Sequence, residues 1–242
     1  MAQSKAFTSS IIERPLPSAV IYDLCEPHQV TITLPIGSTW SSGLHWHEDH
    51  VEYLRVIRGR VRVRLGGSTR TIDAGTEVRV DRNVWHEWSR AGPDGEDVVV
   101  VERTDPEDGQ KAVFFWNLNG VILKAGEIAP PPYVPEWVHD LLLDVWVALN
   151  LFVIFRYLDN VPVFLDVVGF LGRWGVAISE GSTIWLTSKG IDRVWSHLVL
   201  MTAGWLGWLF GIKAVREEFT PQEAIQRWMH KGDSKEAKEK PA

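Results

Sequence analysis

A mainly β domain followed by a strongly apolar helical region is the architecture the sequence predicts, on three observations. From about residue 18 to residue 120, short β-type runs alternate with turn residues. Prolines at positions 130, 131, 132 and 135 then end that pattern. Beyond them lie long apolar stretches, of which residues 194–212 contain no Asp, Glu, Lys or Arg. Short antiparallel strands at this spacing imply a sandwich, barrel or jelly roll. The chain therefore divides into a flexible lead-in at 1–17, a β-barrel at 18–128, a hydrophobic helical region at 136–212 and a charged tail at 213–242.

The opening eighteen residues have no continuous apolar run after the first lysine and do not read as a secretory signal. AVIYDLC, QVTITLP, VEYLRVI, RVRVRLG, TRTIDAG, TEVRV, DVVVVER and AVFFWNL follow as strand-length runs rich in Val, Ile and aromatic residues. In RVRVRL, strict alternation puts Val61, Val63 and Leu65 on one face and Arg60, Arg62 and Arg64 on the other. Breakers separate the runs at Gly66 and Gly67, at Ala74 and Gly75, and along 91–95.

After the prolines, residues 137–155 and 161–178 read as apolar runs around a turn-like RYLDN, and 194–212 is long enough to span a bilayer. Asp140, Asp144, Asp166 and Arg173 oppose insertion of the first two, since a charge near the bilayer centre costs about 2.5–3.5 kcal/mol on insertion scales. Two readings follow: membrane spans, or core helices packed on the barrel or on a second subunit. EFTPQEAIQRWMH is an amphipathic helix candidate ahead of a charged end. Lys238 and Lys240 resemble a dilysine retrieval signal, which would place a membrane-associated protein in the endoplasmic reticulum with a cytosolic tail; otherwise it is cytoplasmic.

A net charge of −6 without a basic stripe argues against nucleic-acid binding, which needs cationic side chains to displace counterions from phosphates. The one cysteine, Cys25, excludes an intramolecular disulfide and a multi-cysteine zinc site. Thirteen tryptophans mark packed cores, ligand pockets or membrane interfaces.

The chemistry concentrates in GLHWHEDHVEYLRVIRG, residues 43–59. On a strand, His45 and His47 share a face and Trp46 points away. Imidazoles with a carboxylate form a mixed N/O set suited to Fe(II), Mn(II), Ni(II) or Zn(II), and Glu52 supplies the carboxylate if the chain bends between Asp49 and Val51. A later strand offers His86 between Trp85 and Trp88. Gly59 permits the tight turn into the next strand.

His-x-His-x4-Glu-x6-Gly followed by Gly-x10-His resembles the two signature motifs of the cupin superfamily, of the small single-domain type. His45, His47, Glu52 and Gly59 fall on the first motif, and Gly75 and His86 on the second. Asp81 and Asn83 stand where proline and glycine are usual, and Arg90 where asparagine is common. The resemblance implies a jelly-roll barrel with a divalent metal, Fe(II) favoured and Mn, Ni or Zn as alternatives, held by His45, His47, Glu52 and His86. It also implies small-molecule chemistry such as dioxygenation, isomerisation, decarboxylation or lyase-type proton abstraction, and allows a homodimer.

Glu52 and His50 are the candidate catalytic groups: Glu52 as a base that leaves the metal, His50 in proton transfer. The plainer reading of His50 is an exposed or structural side chain. Trp46, Trp85 and Trp88 read as packing residues, and Arg90 as part of a solvated strand face. The apolar extension suits a lipophilic substrate. The main alternative to an enzyme is a membrane-tethered module that binds a ligand or metal without turnover, and a third reading is a purely structural jelly roll.

Overall fold

The computed structural model describes residues 7–176 and 178–239, with side chains up to His230 in the last helix. The strands are β1 (Ile11–Arg14), β2 (Val20–Asp23), β3 (Gln29–Leu34), β4 (His45–Trp46), β5 (Val51–Arg58), β6 (Arg60–Leu65), β7 (Ser68–Asp73), β8 (Glu77–Val80), β9 (His86–Arg90) and β10 (Val98–Asp105). Helix α1 (Gln110–Ala125), helix α2 (Glu136–Tyr157), strand β11 (Val161–Pro162) and helices α3 (Val167–Arg173), α4 (Thr183–Leu209) and α5 (Gln222–Glu239) follow. The strands form two antiparallel sheets, ordered β1-β2-β3-β10-β5-β8 and β11-β4-β9-β6-β7.

Period-two patterning builds the core between the sheets. Val30, Ile32 and Leu34 on β3, Leu54 and Val56 on β5, Val61 and Val63 on β6, and Val98 and Val100 on β10 are all buried in one cluster. Arg60 and Arg62 face water, as alternation requires. Gly59 turns β5 into β6 with φ 76°, and a Cβ there would stand 2.9 Å from Val98 Cγ2, so both the turn and the close approach need glycine. Asn83, in the position where the family resemblance leads one to expect glycine, adopts φ 63°.

Four expectations are corrected. AVFFWNL belongs to α1, not to a strand, and strands β1 to β10 run from Ile11 to Asp105, with β11 added from beyond α2. An unbroken apolar run carries no period to separate a strand from a helix buried on several sides, and Val113, Phe114, Phe115 and Trp116 are all buried. The lead-in is not free chain throughout, because β1 pairs with β2 from Ile11 to Arg14. Residues 161–178 are not a span: they contain the two residues of β11 and the seven-residue α3.

Arg90 is likewise not on a solvated face. It is 5% exposed, and its guanidinium donates to the carbonyls of Leu34 at 2.7 Å and Glu96 at 2.9 Å, tying β9 to β3 and to the 92–96 loop. Arg90 shares the inward register of His86 and Trp88 on β9, so strand alternation already placed it inside; what alternation does not show is the backbone oxygens that satisfy its charge.

Pro135 precedes α2 with extended backbone, its fixed φ suiting the start of a helix. Residues 137–155 and 194–212 do lie mainly in helices, α2 and α4. Among the described residues only α2 is long and apolar enough to cross a membrane, with a mean hydropathy of 1.8. Lys240 and the two residues after it, and with them part of the dilysine-like ending, lie outside the described residues.

Candidate metal centre

Both sheets contribute to one buried cluster. β4 and β9 pair with His45 directly opposite His86, so two imidazoles from neighbouring strands face the same side. Their ring centroids are 4.1 Å apart, and His47 lies 5.0 Å from His45 and 5.3 Å from His86. Glu52 enters from β5 in the opposite sheet and is 2% exposed. One donor atom from each of His45, His47, Glu52 and His86 lies within 4.8 Å of all the others.

Trp46 points the other way, as expected. It stacks on Trp85 at 5.9 Å in a separate apolar cluster with Val161 and Leu200, while Trp88 packs in the main core.

The imidazoles are prepared for ligation. His45 Nδ1 lies 2.8 Å from the Gly43 carbonyl and His86 Nδ1 3.0 Å from the Val84 carbonyl, while His47 Nδ1 meets the Asp159 carbonyl. A ring that donates Nδ1–H to a carbonyl presents a lone pair at Nε2. His47 Nε2 and His86 Nε2 are buried without a hydrogen-bond partner, which is costly unless something else meets them. His86 Nε2 sits 2.9 Å from Glu52 Oε2 but outside hydrogen-bonding geometry. Burial, then the neighbouring His86 and His47, push the His45 pKa well below its ordinary value and keep that ring neutral. Three imidazoles and one carboxylate, with buried ring nitrogens of His47 and His86 left without a partner, fit a divalent metal.

Glu52 is held ionised. Burial pushes its carboxyl up, but the Lys111 ammonium and then His86 bring it well below the usual carboxylate range. Lys111, from α1, pairs with Glu52 Oε1 and with Glu102 Oε2 at 2.8 Å. Glu102 also accepts from Trp88 Nε1 at 2.7 Å, and its own pKa is raised because burial outweighs Lys111. The lysine is raised too, burial being offset by its two carboxylates.

His50 is neither exposed nor part of the quartet. It is 4% exposed, with Nδ1 2.6 Å from Asp159 Oδ2 and Nε2 2.9 Å from Asp108 Oδ2. Burial alone would lower its pKa, yet the two carboxylates raise it to about 9. A charged imidazolium that donates both N–H groups has no lone pair with which to take a proton. In this geometry it bridges two loops through Asp108 and Asp159.

Asp159, just beyond α2, does more than pair with His50. Its backbone has φ 43°, its carbonyl receives His47, and its carboxylate accepts the amides of Glu48 at 2.7 Å and of Asp49 and His50 at 3.1 Å. The 47–50 turn is thus fixed by a residue more than a hundred positions away in sequence. Asp159→Ala should destabilise the protein by about 3 kcal/mol and weaken metal affinity about 10- to 100-fold. Urea unfolding and metal titration, with Asp159→Asn as a milder comparison, check this; unchanged values in both would remove Asp159 from the site.

His45, His47 and Glu52 of the quartet open into a cavity of about 280 Å³, with His86 fully buried behind them. Its polar wall includes His45, His47, Glu52, Glu102 and Lys111, and its apolar wall comes from Phe114, Leu118 and Ile122 of α1 and Phe155 and Leu158 at the end of α2. Sequence reasoning located the four clustered residues and missed Lys111, Glu102 and Asp159. Only Glu102 left a signal: it shares the inward register of Val98 and Val100 on β10.

Comparison with known proteins finds one family model and several distantly similar solved structures. The family model described as "Cupin domain" matches residues 30–102. A Klebsiella pneumoniae protein with a double-stranded β-helix domain is 20% identical over 40% of this chain and 85% of its own, with a TM-score of 0.33. A Thermotoga maritima protein described as a predicted oxalate decarboxylase is 20% identical over 43% of this chain and 96% of its own, with a TM-score of 0.32. The Drosophila melanogaster CENP-C cupin domain is 14% identical over 43% of this chain and 84% of its own, with a TM-score of 0.32. No curated protein matches the chain. The family match spans the strands that carry all four clustered residues, so residues 30–102 form a cupin domain, and a helical C-terminal extension follows it in the chain.

Proposed function

We propose that this protein is a metal-dependent cupin enzyme acting on a small, lipophilic organic molecule, by dioxygenase, isomerase or lyase-type chemistry. The observation that carries this reading is the junction of a His/Glu cluster with a cavity whose far wall is built from α1 and α2. A volume of about 280 Å³ is small for a ligand site, and the apolar wall favours a compact hydrocarbon-bearing substrate.

His45, His47, Glu52 and His86 would hold the divalent ion, Fe(II) in the favoured case, which would supply Lewis-acid polarisation or, with iron, redox chemistry. The other groups act around it. Phe114, Leu118 and Phe155 exclude water and orient the apolar part of the substrate. Lys111 gives two N–H bonds to Glu52 and Glu102 and retains a third donor for a substrate oxygen. Glu102, also in the cavity wall, accepts from Trp88 Nε1 and holds the Lys111 ammonium in place.

A non-catalytic ligand-binding or metal-binding module is the second reading. It is favoured by one observation: Lys111 already neutralises Glu52 inside the protein. A screen separates the two. The metal-reconstituted chain would be incubated with apolar ketones, diketones and carboxylic acids and the products read by mass spectrometry. Gain of two oxygens from labelled dioxygen, loss of carbon dioxide, or uptake of solvent deuterium would identify the reaction class. Glu52→Gln should reduce turnover by at least about 100-fold. Ligand binding without any mass change, equal in both proteins, would leave the binding module.

A further inference from the structure

Helix α4 is built inside out. Ser188, Asp192 and Ser196 lie on its buried side, and Lys189 and Arg193 are turned toward the β domain. Lys189 Nζ stands 3.1 Å above the Trp85 ring, Arg193 donates to the Asn83 carbonyl at 2.6 Å, and Asp192 accepts the Val167 amide at 3.1 Å. The side facing solvent carries no charged residue along all 27 positions. Trp195, Leu198, Met201, Trp205, Trp208 and Leu209 are exposed there, Trp205 by 71% and Trp208 by 78%. A helix in water normally shows the opposite arrangement.

A groove between α2 and α4 adds an independent feature. It is lined by Arg156, Tyr157, Gly204, Trp205 and Trp208. Among the described residues Arg156 has no carboxylate partner, and its side chain crosses α4 where Gly204 leaves room: a Cβ at 204 would meet Arg156 Cδ at 2.7 Å. One cation framed by tyrosine and tryptophan, at the margin of an uncharged face, matches the phosphate level of a phospholipid layer.

We propose that the exposed face of α4 seats the protein on one leaflet of a phospholipid membrane, with Arg156 taking a headgroup phosphate. This goes beyond the catalytic reading and does not depend on it. A second copy of the chain is less suited to this face. Protein interfaces carry about one hydrogen bond per 100–200 Å², whereas the exposed side of α4 offers only threonine hydroxyls and the indole N–H groups of Trp195, Trp205 and Trp208, and Thr202 already donates to Leu198 O at 2.9 Å.

Crossing the membrane is also disfavoured. β11 pairs with β4 through Val161↔Trp46 and Pro162↔His45, Asp159 secures His47, and Asp166 holds Arg64 through two bonds of 2.8 and 3.0 Å. The end of α2 and the start of α3 are stitched to the β domain, and exposed Asp140 and Asp144 keep the first half of α2 wet. The protein lies on the bilayer and does not span it.

The test is flotation of the full chain with phosphatidylcholine vesicles, with and without phosphatidylserine, beside Trp205→Glu/Trp208→Glu and Arg156→Gln. Wild-type protein should float. The double variant should bind at least about tenfold more weakly and Arg156→Gln several-fold more weakly, with circular dichroism unchanged. Should the double variant misfold, Trp205→Phe/Trp208→Phe takes its place: the wild-type tryptophan quenching by lipids brominated near the headgroup should fall in that variant. Equal flotation of all variants, quenching only by deeply brominated lipids, or a monomer that never floats would overturn the proposal. So would a dimer that ignores vesicles and is broken by the same substitutions.

Discussion

Metal analysis of the full chain after anaerobic reconstitution is expected to find about one divalent ion per protein, and His45→Ala/His86→Ala should abolish it. These rings face each other across β4 and β9, so the double substitution removes two donors from different strands and leaves Glu52 and His47 too few to hold an ion. Stability should follow occupancy. A ligand at a thousand times its dissociation constant stabilises by about 4 kcal/mol, a shift on the order of 10 °C in a domain of this size. A chelator should therefore lower the wild-type Tm toward its apo value and leave the double variant unmoved. The whole chain is needed, because a fragment ending at residue 135 lacks the Asp159 carbonyl that orients His47 and the Phe155 side of the cavity. No ion in either protein, and no chelator effect, would sink the metalloenzyme reading and leave a ligand-binding or structural jelly roll.

The part of this site visible in sequence was the part encoded by strand periodicity. His45 and His47 converge and Trp46 diverges because alternate residues on a strand face opposite sides, and that geometry is local. Gly59 and Asn83 were legible for a similar reason, since each sits in a turn whose positive φ restricts the residue type. What was not legible depends on contacts between distant segments. His50 looks like a polar loop residue until Asp108 and Asp159 enclose it, and the inward register that Arg90 shares with His86 and Trp88 looks unfit for a charge until the carbonyls of Leu34 and Glu96 appear. The AVFFWNL run failed for another reason: apolar on every side, it carries no period, and α1 is covered by the barrel, α2 and α5.

That misassigned helix also concealed Lys111, the residue whose removal should have the largest effect on the folded protein. Lys111→Met is expected to destabilise the metal-free chain by about 3–5 kcal/mol in urea unfolding, because Glu52 and Glu102 would remain buried without their shared cation. Methionine keeps much of the side-chain volume against Phe115, so packing loss contributes little. The charge argument makes a further demand. Adding Glu102→Gln should recover a substantial part of the loss, since one of the two uncompensated carboxylates is gone, and a double-mutant cycle would measure that coupling. Metal should recover it as well: an ion bound by the His/Glu cluster would compensate Glu52 directly, so the deficit should be smaller in the loaded protein than in the apo protein. Equal deficits with and without metal, together with no rescue by Glu102→Gln, would mean that Lys111 acts as a packing residue and that the electrostatic link from α1 to the metal centre does not operate. If both rescues occur, Lys111 is the group that keeps Glu52 ionised and in place before metal arrives. The extension's first helix would then be coupled to the chemistry at the barrel's centre through a single ammonium.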